Sequence, residues 1–266
     1  MNVRPQEARE ATYIVTHKRP NNQVTLRSVP DATLVVQLDQ YSSYRQAWPD
    51  QPILTLPEHV TTMGETRQHM AKVVSPQHDG KIILLDDDLS FYHRKDPNHY
   101  KLTNAEDTDV ADMLNAVWSA LDTYAHASVS AREGQNNVSP EDSKPVGCCR
   151  YMRLVAYNTF LWPSHIKCDR VNGMSDFDTN LQLLRSGLPS IVFTRWAQSH
   201  PATQSEGGIS EQRTLEKHAK EVDFMVEAHA PFVTGVDKND KGPFGKRREV
   251  RVQWKKAYDD AISGLF

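Results

Sequence analysis

Residues 82–85, Ile-Ile-Leu-Leu, form an unbroken apolar run that ends in three consecutive aspartates, Asp86, Asp87 and Asp88. A strand with one wet face alternates apolar and polar residues; a run without alternation is covered on both faces, as in a parallel sheet between helices. Similar β-rich runs fall at 12–16, 33–39 and 53–57, and helical periodicity follows at 64–74. Strands alternating with helices predict an α/β fold with a mixed, mainly parallel sheet. The chain has 266 residues, enough to bury a substantial core.

Further along, residues 106–128 read as one amphipathic helix with Val110, Met113, Leu114, Val117 and Leu121 as its apolar stripe. Residues 132–147 have no period and many turn formers, which marks a loop. Strand character resumes at 148–158. A helix, a glycine stop and a strand fill 174–196, and a helix capped by Ser210 runs from 210 to a proline at 231. The reading divides the chain into a domain over 1–235 and a basic extension over 236–266, with a short alternating run at 249–254.

Composition closes several classes. Apolar residues make up 38% and charged residues 24%, with a net charge of -3, which describes an ordinary globular protein with no overall attraction to nucleic acid. There is no apolar run long enough to span a membrane and no secretory leader pattern, so a cytoplasmic location is expected. Cys148, Cys149 and Cys168 fit neither a disulfide framework nor a zinc site; reduced, buried thiols are expected.

Ligands of open parallel sheets bind beyond the carboxyl ends of the strands, and the aspartate triplet ends such a strand. Asp86 and Asp88 stand in D-x-D spacing, which suits a hard divalent cation such as Mg²⁺ or Mn²⁺; an acidic capping turn is the plain alternative. Arg67, in the preceding helix, can fork onto phosphate or sit on the surface. In the helix after 174, Ser175 and Asp178 resemble a capping box, whereas Asp176 is either a general base or a carboxylate favoured by the helix dipole. His200 follows a strand as either a metal ligand or a surface residue. Beyond it, Gly207, Gly208 and Arg213 offer a phosphate approach or a simple turn.

In this order the segments resemble GT-A glycosyltransferases, and in detail the TET/JBP-associated glycosyltransferases of bacteriophages and kinetoplastids. The likeness covers about residues 12–230 in ordered blocks. It implies a GT-A type fold and transfer of sugar from a UDP-sugar to a hydroxymethylated pyrimidine, such as 5-hydroxymethylcytosine, in double-stranded DNA. Carried over by position, Thr16 and Arg19 border the nucleotide, Asp39 and Gln40 meet its base or ribose, and Arg67 steadies the donor. Asp86 faces the ribose or metal, Asp87 meets the donor, Asp88 and His200 ligate the metal, and Asp176 is the catalytic base, while the loop reading adds Gly208 and Arg213 at the phosphates. The usual Glu-Asp pair is replaced by Ser175-Asp176, so the likeness leaves open whether the anomeric centre inverts.

Two other classes share parts of this pattern. A metal-dependent phosphoesterase also clusters carboxylates, and a non-catalytic nucleotide-binding module also uses such a sheet and arginine. Residues 237–256 carry eight Lys or Arg against three Asp or Glu, a local cationic segment in an acidic chain. Lys246, Arg247, Arg248, Arg251 and Lys255 are its phosphate-contact candidates, with Trp254 able to stack on a base.

Overall fold

A computed structural model describes residues 6–95, 101–132, 153–200, 214–239 and 245–264. Its first half alternates short helices and strands: α1 (Gln6–Glu10), β1 (Thr12–Val15), α2 (Val24–Ser28), β2 (Thr33–Gln37), α3 (Tyr41–Ala47), β3 (Ile53–Leu56), α4 (Met63–His69) and β4 (Lys81–Asp86). Then come β5 (Ser90–His93), β6 (Thr103–Asn104), α5 (Asp107–Ala120), β7 (His126–Ala131), β8 (Leu154–Asn158), α6 (Ser175–Arg185) and β9 (Ser190–Ser199). Last are α7 (Leu215–Ala228), β10 (Val233–Asn239), β11 (Lys246–Val252) and α8 (Trp254–Ser263).

The main sheet has the order β3-β2-β1-β4-β8-β7-β9-β5-β6. Its first four strands are mutually parallel, β8 runs against both β4 and β7, β7 and β9 are parallel, and β5 opposes β9 and β6. Only β8 and β5 therefore oppose the common direction among the described residues, and the sheet is mixed and mainly parallel as expected.

The unbroken run 82–85 now has its reason. Ile83 and Leu85 enter the core formed with α1, α2, α3 and α5, beside Ala8, Leu26, Tyr44 and Met113. Ile82 and Leu84 enter the core on the other face, beside Met70, Val74, Trp162 and Leu183. The split recurs in β2, where Leu34 and Val36 join the first core and Val35 the second. With nearest neighbours on opposite faces, a strand packed on both sides needs apolar residues at every position. No helix among the described residues is long and apolar enough to cross a membrane.

Several boundaries differ from the sequence reading. The helix expected over 106–128 stops at Ala120, and residues 126–131 form β7. β7 is wholly buried despite its serines, because Ser128 donates to the Leu154 carbonyl at 2.6 Å and Ser130 to the Trp196 carbonyl at 2.8 Å. Hydroxyl bonds to carbonyls of the neighbouring strands let small polar residues fill a central strand, which a helical periodicity argument misses. The helix expected over 64–74 is α-helical only to His69 and continues as a π turn over Met70–Val74. The strand expected over 33–39 stops at Gln37, and Leu38–Gln40 make a 3₁₀ turn.

The helix expected over 210–231 is α7, whose cap is Thr214, accepting from the Lys217 amide. Ser210 lies outside the described residues, as do 148–152 of the strand expected over 148–158 and the loop residues 133–147. Near the C-terminus, β10 and β11 form an antiparallel hairpin that includes most of the alternating run. The boundary placed after residue 235 falls inside β10. A third apolar cluster joins Val222 and Met225 of α7, Val233, Ala257 and Trp254 to Met174, Phe177 and Leu181 at α6.

Candidate active site

Sheet order reverses beside β1: β2 and β3 build out on one side, and β4 lies on the other. Val15 of β1 is the register partner of Asp86 of β4. The aspartate triplet therefore stands at a topological switch point, where the loops after two parallel strands part and leave a crevice.

Thr25 fixes the backbone of the triplet. Its amide donates to the Asp87 carbonyl at 3.0 Å, its hydroxyl donates to the Asp86 carbonyl at 2.6 Å, and the Leu89 amide donates to that hydroxyl at 2.8 Å. Each carboxylate then has a different environment. Asp86 accepts from Arg153 Nη1 at 2.8 Å. Asp87 accepts from the Thr16 hydroxyl at 2.6 Å and from Arg19 Nη1 at 3.1 Å. Asp88 Oδ2 accepts from Arg19 Nη1 at 3.1 Å, while its buried Oδ1 has no hydrogen-bond partner among the described residues. Burial raises the Asp87 carboxyl to about 6, against the opposing pull of Thr16 and Arg19.

The loop after β1 is braced from α3. The Arg19 amide donates to the Tyr44 hydroxyl at 2.9 Å, and that hydroxyl lies 2.7 Å from Thr16 Oγ1. Since Thr16 gives its proton to Asp87, Tyr44 is the donor in that pair. Gln40 accepts from the Lys18 amide at 2.7 Å and faces His17 Nδ1 at 3.0 Å. Lys18 holds a left-handed φ of 55°, a conformation costly for a side-chain-bearing residue and secured here by that bond. Beside this loop lies a cleft of ≈ 470 Å³ lined by His17, Lys18, Asp39, Gln40, Glu58 and Thr61, with Gln37 and Leu38. Asp39 and Gln40 thus belong to the 3₁₀ turn after β2 and face the cleft from there.

On the other side of the crevice, buried Arg67 donates to the Ser175 hydroxyl at 2.6 Å and lies 3.7 Å from Asp176. Burial works against the Arg67 charge, and Asp176, Tyr157, Asp86 and Cys168 together more than restore it. Behind Arg67, burial and the arginine's own charge push His126 down to about 3, so its ring is neutral. Asn180 faces that ring without a well-formed hydrogen bond to it.

The capping box expected of Ser175 and Asp178 is absent. Met174 is the N-cap residue of α6 without a side-chain cap, and Ser175 is turned to Arg67. Asp178 instead is a fully buried acceptor for Arg170, Gln182 and His229. Three side-chain donors, from the segment before α6, from α6 itself and from the end of α7, take that carboxylate in place of the single Ser175 amide.

Among the described residues, no group of three or more His, Cys, Asp or Glu is arranged to hold a metal ion. The donor set still fits a hard cation of the kind that takes one or two protein carboxylates and completes its shell with substrate phosphates. Asp88 Oδ1 is the matching feature, a buried carboxylate oxygen without a partner there. Ser199 pairs with Ser90, and half-buried His200 follows directly after that last pair of β9 and β5.

The structure thus brings Thr16, Arg19, Arg67, Asp86, Asp87, Asp88 and Asp176 to one crevice, with Asp39 and Gln40 on its adjoining cleft. Gly208 and Arg213 lie outside the described residues. Sequence reasoning missed Arg153, Thr25, Tyr44 and His126, none of which stands in a recognisable spacing. Cys168 is buried as expected, its thiol pushed up to about 12 by that burial; Cys148 and Cys149 lie outside the described residues.

Among solved structures, the chain is similar to the mannosyltransferase PcManGT from Pyrobaculum calidifontis in complex with GDP-Man and Mn²⁺, with 16% identity and a TM-score of 0.48. That likeness covers 85% of this chain and 66% of the mannosyltransferase chain. Comparison with curated proteins finds no match. Residues 10–208, which include the triplet, Arg67, Asp176 and His200, match the TET-Associated Glycosyltransferase family across most of the chain, and the chain belongs to that family.

Proposed function

We propose that the chain transfers a sugar from a UDP-sugar to a hydroxymethylated pyrimidine in DNA, with a divalent cation, Mn²⁺ or Mg²⁺, at Asp88. The observation that carries the reading is the register pair Val15 and Asp86, which sets the triplet at the switch point beside a cleft of nucleotide dimensions. Family membership supplies the reaction class.

Each residue has a task in this reading. Asp39 and Gln40 hold the base and ribose in the cleft, and Gln40 keeps the His17-Lys18 turn in shape. Arg19 and Arg67 meet the diphosphate and sugar. The acceptor oxygen attacks the anomeric carbon, the bond from that carbon to the diphosphate breaks, and the diphosphate leaves with the electron pair. Asp176 takes the acceptor proton, its carboxylate held beside Arg67 in the first turn of α6. Asp86 and Asp88, with His200, form the cation site, and the cation when bound neutralises charge on the leaving diphosphate. Gly208 and Arg213 are proposed for the phosphates from the sequence of their loop alone.

The DNA acceptor draws support from β11, where Lys246 and Arg251 are exposed. Its other cations are engaged, Arg247 at 2.7 Å from Glu249 and Arg248 with Asp223, and in α8 Lys255 lies 2.6 Å from Asp259. Trp254 packs against Phe177 with ring centroids 5.2 Å apart and the rings nearly perpendicular, so it is engaged in the third apolar cluster. Such a reaction belongs in the cytoplasm, where phage DNA is made. The test is a panel of UDP-sugars with hydroxymethylated DNA and Mn²⁺, read by nucleoside mass spectrometry. A glycosylated base is the expected product. UDP release without a modified base points to another acceptor, and no nucleotide release from any sugar donor overturns the reading.

A further inference from the structure

Arg19 stands where an incoming cation would have to work. One nitrogen, Nη1, lies 3.1 Å from Asp87 Oδ1 and 3.1 Å from Asp88 Oδ2, with the three side chains only 11%, 7% and 13% exposed. Asp86 is already taken by Arg153. In this conformation the triplet is thus compensated by two guanidinium groups. A dication approaching Asp88 meets a carboxylate that is partly neutralised, and a like charge beside it.

The backbone of Arg19 is pinned at both ends. Its amide donates to the Tyr44 hydroxyl at 2.9 Å, and its carbonyl accepts from Gln23 Nε2 at 2.8 Å. Any change of partner must therefore come from the side chain. Arg19 also lies between two compartments: His17 and Lys18 line the cleft, and its own guanidinium reaches the triplet. A diphosphate joining a base in the cleft to a sugar at the crevice would pass the guanidinium, and it offers the bidentate anion that a guanidinium prefers.

We propose that Arg19 is an exchange residue: it holds Asp87 Oδ1 and Asp88 Oδ2 in the free protein, moves to the donor's diphosphate when that arrives, and so withdraws the like charge that opposes a cation at the open Asp88 Oδ1. This rests on the nucleotide-donor reading above. Its consequence is positive coupling that belongs to the protein, in addition to any direct contact between metal and phosphate. By linkage the coupling works equally in both directions, so metal tightens nucleotide by the factor by which nucleotide tightens metal.

The test is calorimetry on the full chain with Mn²⁺ alone, with UDP or GDP alone in chelator, and with both, for the parent, Arg19→Gln, Arg19→Lys and Asp87→Asn. Circular dichroism melts verify folding. Arg19→Gln should bind Mn²⁺ alone about tenfold tighter than the parent, since a like charge is gone. Arg19→Lys, which keeps the charge, should stay near the parent. In chelator, Arg19→Gln should bind UDP about tenfold more weakly. Asp87→Asn, which loosens the grip on Arg19, should bind UDP several-fold tighter. A folded Arg19→Gln that binds Mn²⁺ no better than the parent overturns the proposal. So does an Asp87→Asn that fails to tighten UDP, and this variant decides the matter if Arg19→Gln does not fold. Absence of binding by UDP and GDP to every variant would sink the donor reading, while the comparison with Mn²⁺ alone still judges the antagonism between Arg19 and metal.

Discussion

His229 Nε2 donates to Asp178 Oδ1 across 2.7 Å, with the two side chains 1% and 0% exposed. The other ring nitrogen, Nδ1, lies 3.4 Å from Arg185 Nη1, which fixes the tautomer with its proton on Nε2. Arg170 adds a 2.9 Å ion pair to the same carboxylate. One buried group therefore ties the segment before α6, α6 itself and the end of α7 together, two residues from Asp176. Asp178→Ala should cost about 3–5 kcal/mol, because it leaves buried donors and a cation without their acceptor. Urea unfolding measures this, and a loss below about 1 kcal/mol would show that the three elements do not depend on the carboxylate.

Asp176→Asn should remove sugar transfer by a factor of about 10²–10⁴ while leaving nucleotide binding close to that of the parent. The amide preserves the shape beside Arg67 and Ser175 but cannot take a proton. Transfer assays paired with UDP calorimetry separate the two effects. Full activity in Asp176→Asn would move the base elsewhere.

The neutral ring of His126 makes stability depend on acidity. Its folded pKa, about 3, is below its ordinary value of 6.5, so the unfolded chain binds the proton that the folded chain refuses. The stability that this group allows is therefore full above pH 6.5 and falls as the pH drops towards 3. The loss attributable to His126 is on the order of 4 kcal/mol across that window. Unfolding free energies at a series of pH values should show a shallower acid slope in His126→Gln. An unchanged slope would assign the acid sensitivity to other groups.

On the hairpin, exposed and engaged cations should behave differently. Neutralising Lys246 and Arg251 together should weaken DNA binding and reduce its salt slope by about two, one for each phosphate left without its cation. Arg247→Ala should instead loosen the hairpin, since Arg247 and His218 hold Glu249 down to about 2 despite its burial. Fluorescence anisotropy with labelled DNA at several salt concentrations, alongside thermal melts, distinguishes the two effects. If the double variant keeps the parent's slope, this face does not meet DNA.

The residues that the sequence revealed share one property: their meaning is local. Ile82 to Asp88 announce a doubly covered strand and its acidic end within seven consecutive positions, and the structure places them so. Asp178 shows the opposite case. Its three-residue spacing from Ser175 spoke for a cap, but two of its three partners are 8 and 51 residues away, and those two decide its role. β7 was hidden for a related reason. Its serines are satisfied by carbonyls 26 and 66 residues distant, so nothing in the segment itself announced a buried strand. Arg153 was equally silent, because an arginine before a strand has no signature until Asp86 is beside it.

The third apolar cluster has a bearing on the order in which the chain is made. α6, which carries Asp176, sends Leu183 into the sheet-facing core and Leu181 into the cluster shared with α7, the hairpin and α8, while Phe177 touches both. Trp254 supplies the far side of that packing, almost eighty residues after Asp176 leaves the ribosome. The sheet and the triplet have all their strands in hand by Ser199, yet the helix facing them lacks its outer support until the last helix has been synthesised. During translation the half of the crevice proposed for the nucleotide is therefore completed first, and the half that holds the proposed base gains its backing last.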